Sequence, residues 1–248
     1  MSALPPQMTF AQRMQRAADK QNIVLRFLRE EIYTTLNVMQ MLLGLSADQT
    51  KRTLVAMERA ELITRQQVTA PSGWRPMLWG ITPKGQLMAG DDHEIPSASY
   101  FKPNRIGLTL LSHTVGLQRM KISAERAGWA GWESGDRLAK FDADSRPDAT
   151  AKDAAGTVWC VEFERTIKTS GRYESILFTR LRDIKAGKYQ RAIWVTETPH
   201  EAARLRGLVL SIREFSRTHA GVKQTVRIIP EQHHPLLAFT HIDAFPAR

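Results

Sequence analysis

The chain has 248 residues, of which 42% are hydrophobic and 8% aromatic, so it can bury a core and wholesale disorder is excluded. Its apolar runs are too short or too interrupted by polar residues to span a membrane, and residues 1–20 lack the apolar stretch and cleavage site of a secretory signal. The single cysteine, Cys160, excludes an internal disulfide and a cysteine-rich zinc site, and we expect a cytoplasmic protein.

The formal charge of +10 favours an acidic partner, most often nucleic acid, although excess basic charge also serves solubility alone. Residues 1–90 hold 11 Lys+Arg and 6 Asp+Glu, so this part carries +5 and residues 91–248 carry the other +5. The charge is spread out, with no block of five like charges, which argues against a disordered basic tail.

Residues 21–90 have the pattern of a small helical domain, preceded by a polar segment, 1–20, that we expect to be flexible, with a short helix at its end as the alternative. Ser46 and Gln49 have the spacing of a capping box and predict the start of the third helix. The predicted elements in chain order are helices over 21–31, 35–43 and 46–62, extended segments over 63–69 and 77–81, and a helix that begins at Thr82-Pro83-Lys84-Gly85.

Three helices, a hairpin and a restarted helix make the element order of a winged helix-turn-helix, and residues 21–90 resemble the bacterial winged-helix DNA-binding domains. The third helix of that fold enters the major groove. The resemblance implies that Gln49, Lys51 and Arg52 lie near bases or phosphates. It also implies that Arg65 and Arg75 flank the wing, which is the hairpin of the two extended segments over 63–69 and 77–81. Two alternatives remain open: Lys51 and Arg52 form a solvated helix face, or the domain docks a protein.

A linker is predicted over 91–105, because this stretch is rich in proline and small polar residues and lacks an apolar period. A second domain follows over 106–248. Its predicted elements are a helix over 106–127, a strand over 138–141, a hairpin around the turn Asp153–Gly156, a helix over 170–187, a strand over 192–195, a helix over 199–218 and a strand over 225–229. In the helix over 170–187 we expect Arg180 and Lys185 to face outward.

The run 157–166 alternates as a β-strand, which places Cys160, Glu162 and Glu164 on one face. Neighbouring carboxylates repel each other, and burial would raise the pKa of at least one of them. A divalent cation such as Mg²⁺ or Mn²⁺ removes that cost, since it prefers oxygen ligands. The alternative is a solvated face on which Arg or Lys pairs with the two glutamates.

The turn Asp153–Gly156 relates this strand to the residues before it. If residue 152 pairs with residue 157, Asp148 lies opposite about Val161, which is the residue before Glu162. A register shifted by one residue brings Asp148 directly opposite Glu162. The third carboxylate could therefore join the other two.

The element order and these motifs together resemble the PD-(D/E)XK nuclease superfamily. With the preceding winged helix, residues 21–230 resemble the plasmid replication-relaxation family, which includes the MobC-type mobilization relaxases. This implies an α/β chain (α+β overall) with a winged helix-turn-helix followed by a restriction-endonuclease-like domain, whose mixed central sheet is flanked by helices. The matching motifs are Arg146-Pro147-Asp148-Ala149, Val161-Glu162-Phe163-Glu164-Arg165-Thr166, Lys185 and Tyr189, and Ile193-Trp194-Val195-Thr196.

The resemblance implies that Asp148, Glu162 and Glu164 hold Mg²⁺ or Mn²⁺. The superfamily commonly has a lysine where Glu164 stands, so the usual cation is missing from its place. Lys168 or Lys185 could supply a migrated ammonium that stabilises charge at the attacked phosphate; the alternative for Lys168 is a solvated lysine at the strand end.

Tyr189 could act as a covalent nucleophile, although a structural role and a water nucleophile are the simpler alternatives. Two hypotheses follow from the residues and the resemblance. The first is a metal-dependent nickase or relaxase for plasmid mobilization in conjugation. The second is a non-catalytic relaxosome accessory protein or regulator with a degenerate nuclease fold. Both expect double-stranded DNA at a plasmid transfer origin as the partner, together with other relaxosome or coupling proteins and a homodimer.

Overall fold

A computed structural model of the protein describes residues 8–90, 99–138, 141, 146–219 and 222–246. The chain divides into two compact units, Met1–Gln118 (unit 1) and Arg119–Arg248 (unit 2). The predicted α/β class is confirmed, because helices occur in both units and unit 2 contains a mixed sheet of five strands.

Unit 1 packs helices against a three-stranded antiparallel sheet with the strand order β1-β3-β2. Its elements are α1 (Phe10–Glu31), β1 (Tyr33–Thr35), α2 (Leu36–Leu43), α3 (Ala47–Arg59), β2 (Ile63–Gln67), β3 (Met77–Ile81), α4 (Pro83–Met88) and the first part of α5 (Leu111–Arg126). The short strand β1 was not expected from the sequence, because three residues are too few to show an alternating pattern.

Two capping boxes set where α1 and α3 begin. Ser46 and Gln49 form the box predicted for α3. Thr9 and Gln12 form a second one, so the segment expected to be flexible is helical from Phe10 onward. Residues 1–7 of that segment lie outside the described residues.

The segment predicted as a linker contributes an aromatic side chain to the core of unit 1. Phe101 is buried together with Leu78 and Leu111. Gly80 of β3 makes room for this ring, since a Cβ built on Gly80 would lie 2.1 Å from the Cγ of Phe101. Residues 91–98, the first part of the same segment, lie outside the described residues.

Unit 2 is built on a sheet with the strand order β10-β7-β6-β5-β4. Strand β5 pairs antiparallel with β4 and with β6, whereas β7 pairs parallel with β6 and with β10. The elements are β4 (Ala130–Ser134), β5 (Ala149–Lys152), β6 (Val158–Glu164), α6 (Ser170–Lys185), β7 (Arg191–Thr196), α7 (Pro199–Ser211), β8 (Glu214–His219), β9 (Val222–Arg227), α8 (Pro230–His233) and β10 (Leu237–His241).

Two of the predicted elements of this unit need correction, and one strand was not predicted. The first strand of the sheet is Ala130–Ser134 rather than 138–141; Leu138 and Phe141 are buried outside any strand, and residues 139–140 lie outside the described residues. Helix α7 ends at Ser211, because the residues after it form the hairpin of β8 and β9. Strand β10 was missed, since its five residues carry no clear alternation.

The core of unit 2 lies between the sheet and the helices α6 and α7. Its fully buried members include Tyr173 and Leu177 of α6, Leu205 of α7 and Trp194 of β7. Among the described helices of the chain, none combines the length and the apolar character needed to cross a membrane.

Candidate functional site

The hairpin of β5 and β6 places Asp148 opposite Glu162. The carboxylate of Asp153 fixes the turn by accepting hydrogen bonds from the backbone N–H groups of Ala155 and Thr157, at 2.9 and 2.8 Å. Ala149 pairs with Val161, so the residues just outside this pair are Asp148 and Glu162. The one-residue shift considered for the register is therefore confirmed.

The Asp148 carboxylate is held at the end of the hairpin. Its Oδ2 accepts a hydrogen bond of 2.7 Å from the backbone N–H of Phe163. Glu164 is the last residue of β6, and α6 begins at Ser170. Asp148, just before β5, therefore lies with Glu162 and Glu164 near the carboxyl end of β6. Ligands often bind at the carboxyl ends of strands in α/β folds.

Glu162 forms a buried ion pair with Arg180 of α6, with 2.6 Å between Oε1 and the guanidinium. Burial raises the pKa of Glu162 to about 7; Arg180 opposes this effect, whereas Asp148 and Glu164 add to it. Arg180 also donates to the carbonyl of Arg146 at 3.4 Å. An isolated buried carboxylate would be far more costly than this paired one.

The inward position of Arg180 corrects the expectation that it faces solvent. Its side chain is only 6% exposed. The sequence did contain a signal, because Tyr173, Leu177, Arg180 and Ile184 fall on one helical stripe whose other members are apolar. A charged residue on such a stripe predicts a buried partner, which here is Glu162.

Glu164 is paired with Lys168, whose ammonium lies 2.5 Å from both carboxylate oxygens. Lys168 thus lies beside the carboxylates, where it could replace the lysine that is missing at position 164. Its backbone N–H donates to the hydroxyl of Tyr173 at 3.2 Å. Burial raises the pKa of Tyr173 to about 12; the hydrogen bond from Lys168 opposes this effect and the charge of Glu164 adds to it.

The candidates Lys185 and Tyr189 lie at or just after the end of α6, and Cys160 lies on β6 two residues before Glu162. Tyr189 is buried, and its hydroxyl donates to the carbonyl of Arg180 at 3.4 Å. Burial raises the pKa of Tyr189, so the phenolate needed for nucleophilic attack is disfavoured. Lys185 is exposed at the last residue of α6. The thiol of Cys160 donates to Glu162 at 3.6 Å, and burial raises its pKa well above the usual value.

The observed arrangement does not fit a ready divalent-cation site. Within the described ranges, no group of three His, Cys, Asp or Glu side chains is placed to hold a metal ion. Arg180 contacts Oε1 of Glu162, Lys168 contacts both oxygens of Glu164, and the Phe163 N–H donates to Oδ2 of Asp148. The chain's own groups therefore offset the carboxylate charge.

The predicted DNA-contacting residues of unit 1 are all exposed, but several of them make local contacts. Gln49 accepts from the Ser46 N–H at 3.4 Å as part of the cap, and Arg52 donates to the Asp48 carbonyl at 3.3 Å. Lys51 lies exposed beside them on α3. This face can still meet phosphates, since backbone N–H groups and cations at a helix start attract anions.

The two arginines predicted near the wing differ in their surroundings. Arg65 of β2 forms an ion pair of 3.3 Å with Glu58 and lies 5.5 Å from the Trp79 ring centroid. Arg75 is exposed in the connection between β2 and β3, beside the exposed Trp74. Arg75 is therefore the freer of the two to reach a ligand.

Comparison with protein-family models, with curated proteins and with solved structures finds no match for this chain. The resemblance to the plasmid replication-relaxation family therefore remains a prediction based on the residues quoted for it.

Proposed function

We propose that this protein binds double-stranded DNA through unit 1, and that it acts at a plasmid transfer origin in mobilization. The proposal treats unit 1 as a winged helix-turn-helix. The order α1-β1-α2-α3-β2-β3 and the sheet order β1-β3-β2 support this identification. The observation that carries it is the capped helix α3, which exposes Lys51 and Arg52 next to its N-terminus.

The test of DNA binding is the double variant Lys51→Ala and Arg52→Ala. We expect weaker binding to duplex DNA. The slope of log affinity against log salt concentration should become shallower by roughly two units at most, because each phosphate contact contributes about one unit. The matched control removes two exposed cations elsewhere in unit 1, Lys84→Ala and Arg105→Ala. An unchanged slope in the α3 variant would show that this helix does not face phosphate.

We further propose that unit 2 has the PD-(D/E)XK nuclease-like architecture. The succession α5-β4-β5-β6-α6-β7 supports this. The positions of Asp148, Glu162 and Glu164 near the carboxyl end of the central strand β6 support it as well. Lys168 beside Glu164 is the group that favours the nickase or relaxase candidate, which would use Mg²⁺ or Mn²⁺.

The geometry favours the second candidate, a DNA-binding accessory protein or regulator whose nuclease-like unit does not cut. Glu162 and Glu164 are each neutralised by a cation of the chain, and no three-ligand group occurs in the described part of unit 2. Such a unit can serve docking of relaxosome or coupling proteins, or dimerisation. We therefore conclude that DNA binding, rather than strand cleavage, is the function best supported.

Incubation with supercoiled origin plasmid and Mg²⁺ or Mn²⁺ separates the two candidates. Tight binding without nicking is expected. Nicking that is lost in both Asp148→Ala and Glu162→Ala, but kept in the exposed control Glu133→Ala, would instead establish the metal-dependent enzyme. Nicking that persists in the Asp148 and Glu162 variants would assign the cleavage to other residues.

A further inference from the structure

The N-terminal half of α1 extends away from the buried part of unit 1. The helix has 22 residues, but its buried side chains are confined to Val24, Leu25, Phe27 and Leu28. Every residue from Phe10 to Asp19 is exposed. The capping box at Thr9 and helix-favouring residues such as alanine, glutamine and arginine maintain the helix without burial.

A groove of about 710 Å³ separates this extension from α3. Its walls carry Arg13, Arg16 and Lys20 from α1, and Gln49 and Arg52 from α3. Two of the residues predicted to contact DNA thus share one concave surface with three cations that the sequence alone did not single out.

The charge of the groove is strongly one-sided. Arg13, Arg16, Lys20 and Arg52 line it against a single carboxylate, Asp19, which accepts a 2.8 Å hydrogen bond from Gln15. In the part of the chain that the structure describes, none of these four cations forms an ion pair with an acidic side chain. The four charges therefore act together on an approaching anion, and a concave wall concentrates their field.

We infer that this groove seats the phosphate backbone of the DNA strand beside the helix α3. The inference rests on the proposed DNA binding by unit 1. A helix in the major groove has a sugar-phosphate strand on each flank, so the cations of α1 lie where one such strand would pass. Guanidinium groups bind phosphate oxygens through paired hydrogen bonds, which suits Arg13 and Arg16 to this role.

The test compares two double variants that each remove two positive charges from unit 1. Arg13→Ala with Arg16→Ala changes the groove, and Lys84→Ala with Arg105→Ala is the control outside it. Binding of a mixed-sequence duplex is followed by fluorescence anisotropy across a range of salt concentrations. Far-ultraviolet circular dichroism checks that α1 stays helical.

We expect the groove variant to lose up to about two units of log–log salt slope, and the control to lose fewer. Raising the salt from about 50 to about 200 mM should then weaken the groove variant roughly tenfold less than the wild type. Equal slopes for the wild type and the groove variant would overturn the inference. A groove variant that only matches the control would overturn it as well, because net charge alone would then explain the loss.

Other outcomes separate this inference from the proposed function. If Lys51→Ala with Arg52→Ala lowers the slope and the groove variant does not, DNA binding stands and the groove inference fails. If the wild-type protein shows no salt-dependent DNA binding, both fail. If the groove variant loses affinity for a labelled polyglutamate peptide but keeps its slope for duplex DNA, the groove serves an acidic polypeptide and the inference is overturned.

Discussion

The substitution Glu162→Gln should change how the stability of the protein depends on pH. Burial raises the pKa of Glu162 from 4.5 to about 7 despite the ion pair with Arg180. The ionised carboxylate is therefore less stable in the folded chain than in the unfolded one by about 3 kcal/mol, taking roughly 1.4 kcal/mol for each tenfold change in proton affinity.

The sign of the effect follows from proton binding. Between pH 4.5 and about 7 the folded chain keeps the proton on Glu162 while the unfolded chain releases it. The free energy of unfolding therefore falls as the pH rises through this window, and the full destabilisation is present above it. Glutamine cannot ionise, so this contribution disappears in the variant.

The measurement is urea unfolding of wild type and Glu162→Gln at several pH values across the window, followed by tryptophan fluorescence. We expect the difference between variant and wild type to shift in favour of the variant by about 3 kcal/mol from pH 4.5 to 7. Glu133→Gln, which removes an exposed carboxylate of β4, is the control for loss of one negative charge. Parallel curves for wild type and Glu162→Gln would refute the reasoning, and a shift in favour of the wild type would mean that Arg180 outweighs burial.

Three further substitutions test contacts that stabilise unit 1 and unit 2. Ser46→Ala should remove the cap of α3 and lower the free energy of unfolding by about 1 kcal/mol, measured by urea titration. Gly80→Ala should cost about 1–3 kcal/mol in the same assay, because the new methyl group meets the Phe101 ring. Arg180→Leu should cost about 3–5 kcal/mol at pH 8 and less at pH 5, where the abandoned Glu162 carboxyl is protonated; an equal loss at both values would contradict the ion-pair explanation.

The local features of the fold could be predicted because they depend on neighbouring residues. The capping box at Ser46 set the start of α3, and the turn Asp153–Gly156 set the hairpin that brings Asp148 opposite Glu162. Strand β10 and the end of α7 could not be predicted in this way. Their structure depends on pairing with residues distant in the sequence, as when β10 runs parallel to β7.

The partners of the carboxylates depended on tertiary structure. The sequence placed Glu162 and Glu164 on one strand face and left open whether a metal ion or basic side chains would pair with them. Only the packing of α6 against β6 shows that Arg180 turns inward to Glu162, whereas Lys168 pairs with Glu164 from four residues further along the chain, before α6 begins. A helix face can be read from its periodicity, but the strand it will cover cannot.

Added Mg²⁺ should leave the pH dependence of unfolding unchanged. The five groups Asp148, Glu162, Glu164, Lys168 and Arg180 carry three negative and two positive charges, and protonation of Glu162 brings this set to neutrality. A divalent cation would compete with Lys168 and Arg180 for the carboxylate oxygens it prefers as ligands. Repeating the titration of the wild type and Glu162→Gln with Mg²⁺ tests this directly. Stabilisation of the wild type that grows with pH and is absent from the variant would show that the carboxylates bind the cation, because a ligand that binds only the folded chain raises its stability. That result would favour the metal-dependent nickase over the non-catalytic accessory protein.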